Sequence, residues 1–200
     1  MTTRSKLQAQ GANPGQNNAF TLIELLVVIT IIAILASLAF PAVQGALDSG
    51  KKAQARNDLQ QLVMAVKAYQ LEYGKLPTVD GAEEFSGDND KLMNVLRGTA
   101  NAGSQLQMNP RKIAFIEPKI AKGPKGGIGP DDKFYDPWGK EYKVKMDGDY
   151  NNELANFYSS GAGFSTLNYS VIAASAGPDT NFGSADKNAG TAKDDLISWQ

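Results

Sequence analysis

The chain of 200 residues contains no cysteine and no histidine. Without Cys there is no disulfide framework, iron–sulfur cluster or thiol nucleophile. Without His there is no Ser-His-Asp relay and no ordinary His/Cys zinc site. Any metal must therefore be held by oxygen. An excess of one charge is missing too: 20 Lys+Arg face 21 Asp+Glu, so a general nucleic-acid partner is not expected. What is present is a 42% hydrophobic composition, enough for one cored domain with an appendage.

The apolar residues are unevenly placed. Residues 19–40 read AFTLIELLVVITIIAILASLAF, interrupted only by Thr21, Glu24, Thr30 and Ser37. As a helix rising about 1.5 Å per residue, such a run covers roughly the 30 Å hydrocarbon thickness of a bilayer. A buried core helix would be shorter and would show one polar face. Residues 1–18 carry Arg4 and Lys6, no acid, and the turn-prone stretch GANPGQNN, which reads as a leader. A secretory signal would be cut after its apolar region, but Ala36-Ser37-Leu38-Ala39 is a mediocre site, so cleavage before the run is expected. Lys51, Lys52 and Arg56 offset the leader's charges, leaving orientation to the long downstream segment, since large domains translocate largely regardless of flanking charge.

Glu24 is the sharpest feature. A carboxylate in a bilayer-length run costs roughly 2.5–3.5 kcal/mol on insertion scales. A nearby helix N-terminus returns only about 0.3–1 kcal/mol. A free α-amine would suffice, and cleavage between Ala19 and Phe20 would create one four residues from Glu24. The amine of one copy could then pair with the carboxylate of the next. The alternative is a protonated or snorkelling Glu at the membrane surface.

The segment AFTLIELLVV at 19–28 resembles the prepilin signature of type IV pilins and type II secretion pseudopilins. The resemblance implies that a prepilin peptidase cuts between Ala19 and Phe20 and methylates the new amine. It also implies that Glu24, fifth from the cut, directs docking of subunits into a homo-oligomeric filament. Pro41 falls at the twenty-second mature position, where the family commonly kinks the helix. Ala19 departs from the usual Gly. Losing Arg4 and Lys6 leaves 18 basic residues against 21 acidic, a net charge of −3.

Beyond Pro41 the pattern turns amphipathic, with Leu59, Leu62, Val63, Val66, Tyr69 and Tyr73 recurring at helical spacing. Gly74 and Pro77 supply the stop. Pro41 and Gly45 make residues 40–46 a predicted kink or melted segment. Residues 80–130 read as a surface excursion with a short helix at 90–97, and the Gly/Pro-rich, mildly basic stretch 119–130 as an exposed loop. Strands are predicted at 140–146, 156–159 and 169–174. The expected class is α+β, a long N-terminal helix with a small antiparallel sheet of about three strands on its second half. The division is a leader at 1–19, a membrane or filament-core helix at 20–40, its amphipathic continuation at 41–75, a variable region at 76–135, and the sheet with an acidic loop at 136–200.

Two further phrases, YGKLPT at 73–78 and DPWGKEY at 136–142, resemble the major pseudopilin of type II secretion. The excursion at 80–130 is longer than that family leads one to expect. By itself Asp-Pro-Trp-Gly is a good turn, with Trp138 available to cap the core. The C-terminal loop gathers Asp179, Asp186, Asp194 and Asp195. Its residues leave open either solvated acids in a turn or hard oxygen ligands, and no EF-hand pattern is met. In major pseudopilins this place holds a calcium loop, and the resemblance puts calcium on Asp179 and Asp195, with Ser175 and Asp194 as weaker candidates. Lack of cysteine favours the pseudopilin over pilins that close this region with a disulfide.

The resemblance thus implies a structural subunit of a periplasmic pseudopilus, anchored by one span in the inner membrane with its globular part in the periplasm. Its expected partners are minor pseudopilins, prepilin peptidase, an inner-membrane assembly platform and an assembly ATPase. The alternative is a type IV pilus subunit for adhesion, motility or DNA uptake. A carboxylate-dependent hydrolase using Asp131, Asp132, Asp147, Asp149 or Asp179 is the enzyme reading, but nothing in their spacing nominates an acid and a base, and no enzymatic role is expected.

Overall fold

The computed structural model describes residues 20–100, 103–183 and 185–200. The leader, including Ala19 and its side of the cleavage site, lies outside the described residues. Helix α1 spans Leu22–Tyr73 with Pro41 inside it. Residues 40–46 are helical throughout, so the melted segment is not observed. Further elements follow in order: β1 Glu84–Phe85, α2 Asp90–Leu96, α3 Gly103–Met108, β2 Gly127–Ile128, β3 Phe134–Tyr135, β4 Lys143–Met146, β5 Leu154–Ala155, β6 Thr166–Leu167, β7 Val171–Ser175 and β8 Leu196–Ile197.

The chain forms two compact units, residues 1–45 and 46–200. In the first, the large apolar side chains from Leu22 to Val43 are exposed along the helix. Among the described residues α1 is the one helix long and apolar enough to cross a membrane. Its polar interruptions are satisfied within the helix: Thr30 donates to the carbonyls of Leu26 and Val27 at 2.9 and 2.7 Å, and Ser37 to that of Ile34 at 2.7 Å. In lipid, where no water is available, such internal bonds remove the main cost of a hydroxyl.

In the second unit the stripe read from spacing packs as expected. Leu59, Leu62, Val66 and Tyr69 are buried, while Val63 and Tyr73 pack at the margin. Gly74, at φ +70°, donates its N–H to the Gln70 carbonyl at 2.8 Å and ends α1, a left-handed stop that glycine makes without a Cβ clash. The stripe faces a four-stranded antiparallel sheet in the order β1-β4-β7-β8. β4 and β7 pair from Lys143↔Ala174 to Met146↔Val171. In β4 the alternation is observed, Val144 and Met146 inward with Lys143 and Lys145 half-exposed. β7 is buried at every position, as a central strand covered on both faces must be.

Two expectations are corrected. Residues 156–159 form no strand, because Asn156 uses its side-chain amide to hold the carbonyls of Ala162 and Phe164 at 3.0 and 2.9 Å, and such local bonds compete with a ladder. The short β5 pairs instead with β6. Residues 80–130 are also more than a surface excursion. Phe85, Leu92, Met93, Val95, Leu96, Ile116 and Ile128 from this segment are buried in the main core, and β1 supplies an edge of the sheet. The short helix at 90–96 is where the sequence placed it.

Candidate assembly and metal-binding sites

Thr21 and Glu24 close the N-terminus of α1 reciprocally. The Thr21 N–H and hydroxyl both donate to Glu24 Oε2, at 2.8 and 2.7 Å, and the Glu24 N–H donates to Thr21 Oγ1 at 3.2 Å. This is a capping box, and its Thr-x-x-Glu spacing was legible in the sequence although dipole and amine arguments overlooked it. The carboxylate therefore has partners within its own chain. Phe20, 79% exposed, precedes the cap and lines a shallow apolar hollow with Ile23, Glu24, Val27 and Val28.

At the other end of the chain the Asp-Pro-Trp-Gly turn is built on one carboxylate. Asp136 is fully buried. Its Oδ1 accepts the N–H groups of Trp138, Gly139 and Lys140 at 3.0, 2.8 and 2.9 Å. Its Oδ2 accepts the Ser175 hydroxyl at 2.7 Å. Ser175 thus joins this turn to the start of the C-terminal loop, its Oγ also accepting the Gly177 N–H at 3.2 Å. Asp58 of α1 accepts the Tyr142 hydroxyl at 2.8 Å; burial holds its carboxyl above the ordinary range, against the bonds from Tyr142 and Gln54.

The acidic loop folds on itself. Asp194 accepts the Asp179 N–H at 2.8 Å, and Asp179 in turn accepts the Asn181 N–H at 2.7 Å. Gly177, at φ +68°, lies so close to the Asp194 carbonyl that a Cβ would stand 2.2 Å from its oxygen. Asp195 is 3% exposed. Its Oδ2 accepts from the Tyr158 hydroxyl at 2.8 Å and the Gly183 N–H at 3.1 Å, while Oδ1 is buried without a partner among the described residues. Burial, opposed by those two bonds, raises its pKa to about 6. A buried carboxylate oxygen without a partner among the described residues is one donor of the kind a hard cation takes. Among the described residues no three acidic side chains are grouped to share one ion, so main-chain or solvent oxygens would complete any shell. Such an ion would hold the loop as a charge-neutralising staple.

The carboxylates of the hydrolase reading are spent elsewhere. Asp131 accepts the Tyr135 hydroxyl, Asp132 pairs with Arg97, and Asp147 accepts the N–H groups of Asn151 and Asn152. Asp149 and Asp179 each accept an N–H two residues on. These are turn closures and ion pairs, not a facing acid and base.

Residues 15–40 match the family model "Prokaryotic N-terminal methylation motif". The chain is 27% identical over 184 residues to the type II secretion system core protein G of Escherichia coli (strain K12), covering 92% of each chain. It is 46% identical over 108 residues to prepilin peptidase-dependent protein D of the same organism, covering 50% of this chain and 72% of that one. With the fimbrial protein EcpB of Eikenella corrodens it shares 36% identity over 93 residues, 46% of this chain and 57% of the other. No solved structure matches the chain.

Proposed function

Because the chain belongs to the type IV pilin-like family that carries the prepilin N-terminal methylation motif, we propose that it is a pseudopilin of a type II secretion system. Members of this family are structural subunits and not enzymes. The reading has the chain inserted in the inner membrane by the first half of α1, with residues 46–200 in the periplasm. Prepilin peptidase cuts between Ala19 and Phe20 and methylates the new amine. An assembly platform and ATPase then move the apolar helices from lipid into a filament core, where minor pseudopilins complete the pseudopilus. Heterologous contacts that do not close extend such a polymer.

The observation that carries the reading is extent: similarity to a core protein G runs through both the helix and the sheet-bearing unit. Glu24 would exchange its local partner, Thr21, for the amine of a neighbouring copy. That exchange is favourable because a charge pair in low dielectric outweighs bonds from neutral donors. A second reading, a type IV pilus subunit, is favoured by the 36% identity to a fimbrial protein over 46% of the chain. Calcium at Asp195, with Asp194 and Asp179, belongs to the first reading, and its support is the orphaned Oδ1 of Asp195.

The test is deletion of the gene and complementation with the native chain or Glu24→Ala. A pseudopilin requires secreted proteins to accumulate in the periplasm of the deletion strain, with export restored by the native chain and not by the variant. Normal export with loss of surface fibres would replace the first reading by the second.

A further inference from the structure

In the second unit a hollow of about 310 Å³ is lined by Phe164, Leu167, Asn168, Tyr169, Trp199 and Gln200, with Gly163 at its edge. Its walls are fixed by bonds already made. Asn156 Nδ2 holds the carbonyls of Ala162 and Phe164 at 3.0 and 2.9 Å, and Trp199 Nε1 donates to the same Ala162 carbonyl at 2.9 Å. The Trp199 ring packs against Phe157 and Tyr158, at centroid distances of 6.0 and 6.4 Å. Leu167, buried with Leu154 and Ile172, supplies an apolar floor. Gly163 keeps that floor open, because a Cβ there would stand 3.3 Å from Leu167 Cδ2. Two aromatic rings of the lining are left to solvent, Phe164 at 85% and Tyr169 at 43% exposure. Beside them, the side-chain amides of Asn168 and Gln200 and the Tyr169 hydroxyl make no hydrogen bond among the described residues. No Asp, Glu, Lys or Arg is among the lining residues.

We propose that this hollow binds a pyranose unit of a neutral glycan. The chemistry of the lining selects that class. An ion finds no side chain of opposite charge. A purely apolar ligand, or the apolar patch of another protein, would strip water from two amides and a hydroxyl without replacing their bonds. A sugar ring offers both surfaces: its C–H face lies against the electron-rich face of an aromatic ring, and its hydroxyls donate to and accept from the amides at the rim. Small-molecule sites are of this kind, mainly apolar with a few placed polar groups, and about 300 Å³ is the lower end of their range. A wall locked by Asn156 and Trp199 before the ligand arrives loses little freedom on binding. All the lining residues belong to the second unit, so the proposal rests neither on the membrane span nor on whether the filament is a pseudopilus or a pilus.

The full mature chain is held in phosphocholine micelles, which carry no sugar headgroup, and saturation-transfer NMR is recorded with triacetylchitotriose, cellotriose and maltotriose. Each is titrated to about 10 mM, so that a Kd tighter than this is seen. At least one should receive saturation on its ring C–H protons, and the first separates an amino-sugar polymer from the plain glucans. Phe164→Ala and Asn168→Ala, both at exposed positions, should leave the Tm unchanged and each weaken binding of that sugar roughly two- to tenfold. Leu71→Ala, at an exposed apolar residue outside the hollow, should bind as the native chain does. No transfer to any of the three sugars overturns the proposal, as does equal transfer to the native chain and both variants. Cyclohexanol, a ring of similar size with one hydroxyl, should not displace the sugar; displacement at equal concentration would reduce the site to an apolar hollow and overturn it too. If Phe164→Ala abolishes self-association in sedimentation and leaves sugar binding unmoved, the hollow seats a second copy of the chain and the proposal fails.

Discussion

Asp136→Ala removes a carboxylate that accepts four hydrogen bonds in a fully buried position. It leaves the Trp138 and Lys140 N–H groups and the Ser175 hydroxyl without that partner, whereas Gly139 keeps a weaker bond to the Asp136 carbonyl at 3.1 Å. Of these only Ser175 is buried, Trp138 being half-buried and Lys140 exposed, so the stranded hydroxyl costs about 1–3 kcal/mol and the two N–H groups less. Water reaches the two N–H groups and offsets part of their loss, so a net loss of about 2–3 kcal/mol is expected. Asp136→Asn keeps the Oδ1 acceptor and can donate its amide to Ser175 Oγ, so it should lose no more than about 1 kcal/mol. Urea unfolding of the detergent-solubilised chain, followed by tryptophan fluorescence, measures both, with an unchanged slope confirming that only stability moved. A loss below about 1 kcal/mol for the alanine variant refutes the hub. Equal losses for the two variants would show that charge, and not acceptor geometry, matters at this position.

Asp58 gives a pH prediction. Its folded carboxyl is held above the ordinary value by burial, so between the unfolded value and the raised one the folded state binds more protons. Stability from this group is therefore full below the unfolded value and lost as pH rises through the folded one. Asp58→Asn, which still accepts from Tyr142, should make the stability–pH curve flatter than that of the native chain across this window; identical slopes would contradict this. Gly177→Ala should destabilise the acidic loop by about 2 kcal/mol or more through its positive φ and its approach to the Asp194 carbonyl, read as faster hydrogen exchange at 177–195 with the β4–β7 pair unaffected. Calcium should raise the Tm of the native chain but not of Asp195→Asn, and the shift should reverse with a chelator; an equal shift in both would remove Asp195 from the proposed shell.

What was legible followed from periodicity. The apolar run, the stripe from Leu59 to Tyr69, the Gly74 stop and the alternation of β4 are local patterns that packing reinforced. What was not legible depends on distant partners. β1 has two residues and exists because it pairs with β4, and the tie from Ser175 to Asp136 crosses 39 positions. The FYSS stretch at 157–160 has strand composition, yet Tyr158 turns its hydroxyl to Asp195 and Phe157 stacks edge-on against Phe182, serving a loop core that no alternation marks. In the acidic loop the types of residue pointed to oxygen ligands. Only the fold reveals that Asp195 is the buried acid whose Oδ1 has no partner among the described residues.

The central claim is that the mature subunit begins at Phe20 and carries its free or methylated amine into assembly. Intact mass and N-terminal sequencing of the protein from its native membrane, compared with a strain lacking prepilin peptidase, test it directly. The account expects N-methylated Phe20 in the first and an uncut Met1 start in the second. A Met1 start in both, or cleavage after Ala39, would contradict it and leave Glu24 as the cap of a simple membrane anchor.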